Sequence, residues 1–139
     1  MDFITSHIRP YQEEPLWWWW HTLRHPTQFI PVYLCLRSFN PIFRISNAAV
    51  EFLHNAQLDK WQGHNEILFP TLLFLQGFKI ADFGGSGPFV LPGMENKFYY
   101  DDGPDFNGKK ETGHMRHNVS FHQSEFVKNK LFHPIKASV

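Results

Sequence analysis

The chain has a single cysteine, Cys35, among its 139 residues. That excludes an internal disulfide framework and a cysteine-based zinc motif, and it fits a reducing compartment. Net charge is also missing, since thirteen Lys and Arg balance thirteen Asp and Glu. No broad field draws the chain to nucleic acid or anionic lipid, so binding must be local. Long hydrophobic runs are absent too. The longest strongly apolar stretch, residues 67–75, has nine residues and is broken by Pro70 and Thr71. A spanning helix needs roughly 20, so no membrane span is expected. With Asp2 early, Arg9 late and no small-residue cleavage pattern after an apolar core, the first residues do not read as a secretory signal. Cytoplasm is the expected location. No internal repeat occurs.

What the chain has in excess is aromatic side chains. They make up 17% of it, with fifteen Phe and five Trp, at a mean hydropathy of −0.36. A Phe-rich core accounts for most of them, and a cleft that stacks flat ligands is the use left for the rest. The length suits one domain with a real core.

Residues 1–11, MDFITSHIRPY, read as a short strand running into a loop at Pro10. EEPLWWWWHTLRH has acidic residues and Pro15 at its front and basic residues at its back, the charge order of a helix. Trp17 to Trp20 would cover every face of that helix, so at least one is expected to line a cleft or partner surface. FIPVYLCLRSFNPIFRIS is strand-like, divided by Pro31 and Pro41. Ser46 should cap a helix to about Ala56, with Ala49, Val50, Phe52, Leu53 and Ala56 on its stripe. GHNEILFPTLLFLQG predicts a second helix ending at Gly77, and FKIADF a strand. The alternation of strands and helices predicts the α/β class. From Gly84 the turn signals GGSGP, LPG, DDGPD and NGKK crowd together, so residues 84–113 read as a long irregular excursion.

Chemistry concentrates at His64, Asn65 and Glu66. A carboxylate in the first turn of a helix meets free N–H groups and the positive end of the dipole, so Glu66 is expected to stay ionised and able to accept a proton or a hydroxyl. Pro70 has no N–H, which frees the carbonyl of Glu66. Plain capping, with Asn65 as the cap, is the alternative. Gly84, Gly85 and Gly87 follow a strand but precede no helix and no Lys-Ser or Lys-Thr pair, so they read as a loop rather than a phosphate cradle. Asp101, Asp102, Asp105 and Asn107 miss the calcium-loop spacing. His114, His117, His122 and His133 are either surface imidazoles or metal ligands. His133 and Lys136, with Lys128 and Lys130 nearby, could meet a diphosphate or its metal.

The succession RSFNPIFRIS, GHNEILFPTLLFLQGFKIADFGG and NKLFHPIK resembles the C-terminal, acceptor-side half of bacterial glycosyltransferases of the nucleotide-diphospho-sugar transferase type, the GT-A fold. The likeness runs from about Asp2 to Lys136. It implies a partial GT-A-like mixed sheet with flanking helices, and a chain whose residues 1–139 form a single domain. It also implies transfer of a sugar from a nucleotide-sugar donor to a saccharide acceptor. Glu66 matches the acidic position that contacts the acceptor or acts as base, with His64 and Asn65 beside it. Arg44, Ser46 and the Trp run, Trp17, Trp18 and Trp20 above all, are candidates on the acceptor side. Lys136 matches the position that meets the diphosphate, and His133 the one that reaches a divalent metal, manganese or magnesium. No Asp-x-Asp and no nucleotide-binding βαβ unit occur in the chain. The expectation is therefore an acceptor half that is inactive without its donor half and prone to self-association through an uncovered sheet edge. A non-catalytic saccharide-binding remnant is the alternative.

Overall fold

A computed structural model describes residues 1–100, 113–115 and 121–136. It contains both helices and strands, as the α/β class requires. The chain divides into two compact units, each treated by itself below: unit 1 holds Met1–Asp82 and Gly87–Phe89, and unit 2 holds Phe83–Ser86 and Val90–Val139.

Unit 1 is built on a three-stranded mixed sheet. Strand β1, Phe3–Pro10, lies in the centre, antiparallel to β2, Leu36–Ile45, and parallel to β3, Ile80–Asp82. The β1–β2 register runs from Phe3 opposite Ile45 to Pro10 opposite Leu36, but it slips on the way. Ile4 pairs with Arg44 while Ser6 pairs with Phe39, so residues 40–43 oppose Thr5 alone. Pro41 sits in this outpushed segment, where its missing N–H costs the ladder nothing. The Thr5 hydroxyl holds the segment: it lies 2.9 Å from the Phe39 carbonyl, 2.9 Å from Asn40 Oδ1 and 3.3 Å from the Ile42 carbonyl. A second slip falls between Ser6 and Arg9, where His7 adopts φ 52°.

Helix α1 spans Asn47–Leu58. As expected, Ser46 caps it, its Oγ accepting from Ala49 N at 3.3 Å. Of the predicted stripe, Ala49, Leu53 and Ala56 are buried, while Val50 faces solvent. Helix α2, Asn65–Leu75, packs chiefly along β2. Ile67, Leu68, Pro70, Thr71, Leu72 and Leu73 are all buried, so this helix is enclosed nearly all round. Thr71 fastens it to the edge of the sheet. Its hydroxyl donates to the Leu36 carbonyl at 2.9 Å and accepts from Leu36 N at 3.0 Å. Phe3, Ala49, Leu53, Leu68, Leu72 and Leu73 form the main core, and Trp20, Cys35 and Ile67 form a second cluster.

Two expectations fail here. EEPLWWWWHTLRH does not form an α-helix: one short 3-10 turn, Tyr11–Glu13, ends on its first residue and another, Trp18–Thr22, lies within it. Successive bulky aromatics are poor helix formers, and Pro15 precedes them. Side chains also compete for the backbone, with Trp20 Nε1 donating to the Glu14 carbonyl at 2.9 Å and the Thr22 hydroxyl to the Trp19 carbonyl at 2.8 Å. The strand expected across residues 29–46 likewise begins only at Leu36, because Val32–Leu34 is a 3-10 turn; it then continues through Pro41.

In unit 2 the described strands are two residues long: β4, His114–Met115, pairs in parallel with β6, Phe132–His133, and β5, Phe121–His122, with β7, Ile135–Lys136. Aromatic contact replaces long ladders. The Phe121 and Phe132 rings lie 5.0 Å apart, Phe126 and Phe132 5.3 Å. Gly113 is obligatory by geometry: at φ 74° a Cβ would stand 2.5 Å from the carbonyl oxygens of both Phe98 and Leu131. Residues 83–86 and 90–100 contain bends and turns and no helix, in keeping with the expected excursion. Asp101, Asp102, Asp105, Asn107 and His117 lie outside the described residues.

Candidate functional site

The start of α2 and the tryptophan turn meet in unit 1. His64, not the expected Asn65, is the N-cap: its backbone is extended (φ −60°, ψ 139°) and its Nδ1 accepts from Glu66 N at 3.3 Å. A ring nitrogen that accepts leaves the proton of the neutral imidazole on Nε2. The His64 N–H in turn donates to the Thr22 hydroxyl at 3.0 Å, which ties the helix start to the Trp18–Thr22 turn.

That turn sorts the tryptophans. A 3-10 turn has three residues per turn, so side chains three apart eclipse. Trp17 and Trp20 accordingly sit edge to face at 5.0 Å, and Trp18 meets the His21 ring at 5.7 Å. Trp20 is only 8% exposed and serves as a floor, further held by Tyr11 at 5.4 Å. Trp18 is 73% exposed. Trp19 stacks flat on His64, with rings 4.9 Å apart and 11° from parallel, and 40% of it remains exposed. Trp17 stands edge-on to His64 at 6.5 Å.

Glu66 is partly buried beside this platform. Its Oε2 lies 3.8 Å from His64 Nδ1, and its Oε1 accepts from Asn40 N at 3.5 Å. The Ser38 hydroxyl lies 3.4 Å from the carbonyl freed by Pro70 and 2.7 Å from Asn40 Oδ1, the nearer acceptor for its one proton. The outpushed segment of β2 thus reaches the head of α2. Arg37 is held over the Trp17 ring at 4.9 Å and is paired with the Glu14 carboxylate, so one face of Trp17 is already covered. Next to Trp17, a cleft of about 640 Å³ opens between Trp18, Trp20, Leu16, Phe29 and Val32. Leu16 is 96% and Phe29 85% exposed at its rim.

Of the expected site residues, Glu66, His64, Trp17 and Trp20 come together, with Asn65 exposed at the first helical position and Trp18 on the neighbouring cleft. Arg44 and Ser46 have other employment. Arg44 Nη1 donates to the Met1 carbonyl at 3.2 Å, and Ser46, besides capping α1, donates to Asp2 Oδ1 at 3.1 Å. His133 and Lys136 lie in unit 2, on β6 and β7. Trp19, expected only as one of the Trp run, is the tryptophan that stacks on His64, and Arg37 and Ser38 were missed. A period of three across WWWWHT, rather than 3.6, is the signal that separates Trp19 from its neighbours.

The remaining titratable features are structural. Burial pushes the Cys35 thiol up to about 11, with the Thr71 hydroxyl opposing weakly, so at neutral pH it stays a buried thiol rather than a nucleophile. Asp2 is held below the usual carboxylate value, first by the Lys79 N–H, which donates to Oδ2 at 3.0 Å, and then by Ser46. Among the described residues no group of three or more His, Cys, Asp or Glu side chains could hold a metal ion, so the residues described do not by themselves make a metal site. Nor, among them, is any helix long and apolar enough to cross a membrane. Compared with known proteins, the chain matches no family model, no curated protein and no solved structure.

Proposed function

We propose that unit 1 is the acceptor-side portion of a glycosyltransferase that moves a sugar from a nucleotide-sugar donor to a saccharide. The observation that carries this reading is the placement of a partly buried carboxylate, Glu66, beside an exposed, flat Trp19–His64 stack. A sugar ring offers an apolar face to an aromatic plane and hydroxyls at its edge, and this arrangement supplies both partners. The resemblance of GHNEILFPTLLFLQG to the acceptor half of such enzymes supports the same assignment.

In this reading Glu66 accepts the proton of the acceptor hydroxyl as its oxygen bonds to the anomeric carbon of the donor. The bond from that carbon to the diphosphate oxygen breaks, and the nucleoside diphosphate leaves with the electron pair. His64 holds the backbone of Glu66 by accepting its N–H and, through its ring stacked on Trp19, orients the acceptor. Within unit 2 taken by itself, His133 would offer one ligand to a divalent metal, manganese or magnesium, and Lys136 a charge to a diphosphate. A cytoplasmic setting, supported by the lone reduced Cys35, and self-association through the Leu16, Trp18 and Phe29 surface belong to the same proposal.

The first test is a titration of tryptophan fluorescence in the whole chain with oligosaccharides. Saturable change that Trp19→Ala removes is expected; no response to any oligosaccharide would sink the reading. With a donor half supplied, Glu66→Gln should lower transfer by about 10²–10⁴-fold while donor binding persists. A second reading, saccharide binding without catalysis, is favoured by the contact of Glu66 with Asn40 N, which gives the carboxylate a purely structural use. Sugar binding with no transfer even when a donor half is supplied would select it, whereas unchanged transfer in Glu66→Gln would remove Glu66 from the role of base.

A further inference from the structure

Unit 2 contains a cavity of about 790 Å³ lined by Phe83, Lys97, Phe98, Lys128, Lys130 and Leu131. Three lysines thus converge on one opening. The left-handed backbone of Asn129 (φ 63°) turns the chain between two of them. Lys130 Nζ donates to the Lys97 carbonyl at 2.6 Å, which keeps its ammonium at the cavity. Lys97 Nζ is 3.5 Å from Met94 Sδ and 5.7 Å from the centre of the Phe98 ring. None of the three is in an ion pair among the described residues, whose pairs involve Arg9, His25, Arg37 and His64 instead.

Like charges gathered with no carboxylate among the described lining residues raise the local potential and favour an anion at the point where they meet. Ammonium groups on flexible stems are compact donors suited to phosphate oxygens. The walls are of another kind: Phe83 and Phe98 are partly exposed, and Leu131 completes an apolar side. A ligand that satisfies both halves has several negative charges at one end and a flat apolar group at the other.

We infer that this cavity binds an organic phosphate of at least two negative charges, its charged end on Lys97, Lys128 and Lys130 and its flat end against Phe83 and Phe98. The site uses residues of unit 2 alone, so it neither depends on nor supports the acceptor reading of Glu66.

Calorimetric titration of the whole chain with adenosine diphosphate, uridine diphosphate, inorganic pyrophosphate and adenosine tests it. The nucleoside diphosphates should bind, less tightly as salt is raised, and adenosine should not. The pair Lys97→Glu with Lys128→Glu should weaken them by about tenfold or more, whereas Lys97→Arg with Lys128→Arg should keep most of the affinity. Phe98→Ala should cost nucleoside diphosphates about 3–10-fold and leave pyrophosphate unchanged. A melting curve checks that each variant folds, and the exposed lysines keep the test valid if Phe98→Ala does not. The inference is overturned if no nucleoside diphosphate binds or if the glutamate pair binds as tightly as the parent.

Discussion

Unit 1 is held by strands of eight and ten residues and helices of twelve and eleven, whereas the strands described in unit 2 are two residues long. The first satisfies its backbone through ladders and buries aliphatic side chains between sheet and helix. The second joins short bridges to clustered phenylalanines and a glycine that no other residue could replace without displacing two carbonyls. The difference teaches where each unit is vulnerable. A regular layer fails by losing side-chain volume, and a turn-built one by losing a backbone conformation.

The sharpest way to break that contrast is Leu73→Ala. Leu73 is fully buried in the main core of unit 1, and truncation should cost about 2–5 kcal/mol in denaturant unfolding. A loss below that range would show that α2 is less firmly enclosed than its burial indicates. Gly113→Ala is the counterpart in unit 2. The left-handed backbone alone costs about 1–3 kcal/mol, and the two carbonyls add to it. Exchange protection should fall in unit 2; a loss confined to unit 1 would refute the assignment. Next comes Ser46→Ala, expected to lower stability by about 1 kcal/mol through the α1 cap.

The smallest effect concerns Asp2. Its carboxyl is held below its ordinary value of 3.8 by the Lys79 N–H and the Ser46 hydroxyl. A lowered folded value means stabilisation that is complete above the unfolded value and lost as pH falls through the folded one. Asp2→Asn should therefore flatten the acid limb of the melting temperature below about pH 4 while changing little at pH 7. Because Ser46 serves both Asp2 and α1, the two substitutions should not add. For self-association, light scattering should show mass rising with concentration; exposed Leu16, Trp18 and Phe29 are the side chains whose replacement by Ser should reverse it.

Much of unit 1 was legible in the chain. Ser46 followed by spaced apolar residues gave the α1 cap and stripe, and FITSHIRP and KIADF lie where β1 and β3 form. The missing N–H of Pro70 leaves the Glu66 carbonyl open, and the Ser38 hydroxyl lies 3.4 Å from it. The tryptophan segment was not legible, because its charge order favours a helix while its side chains, once packed, satisfy the backbone in a tighter turn. Asn65 is by type the better cap, yet His64 takes the role because Trp19 stacks on its ring and Thr22 accepts its N–H.

By itself, then, the sequence determined the local elements with a clear period or cap, the lack of a membrane-length apolar run, and a carboxylate in the first turn of an apolar helix. Each depends on neighbours within a few positions. Only the tertiary structure decided which tryptophan stands against His64, how residues 40–43 bulge past Thr5 to reach Glu66, and that Lys97 shares an opening with Lys128 and Lys130. Those arrangements join residues 26 or more positions apart, and no local pattern encodes such closure, because its free energy comes from contacts that exist only once the chain has folded.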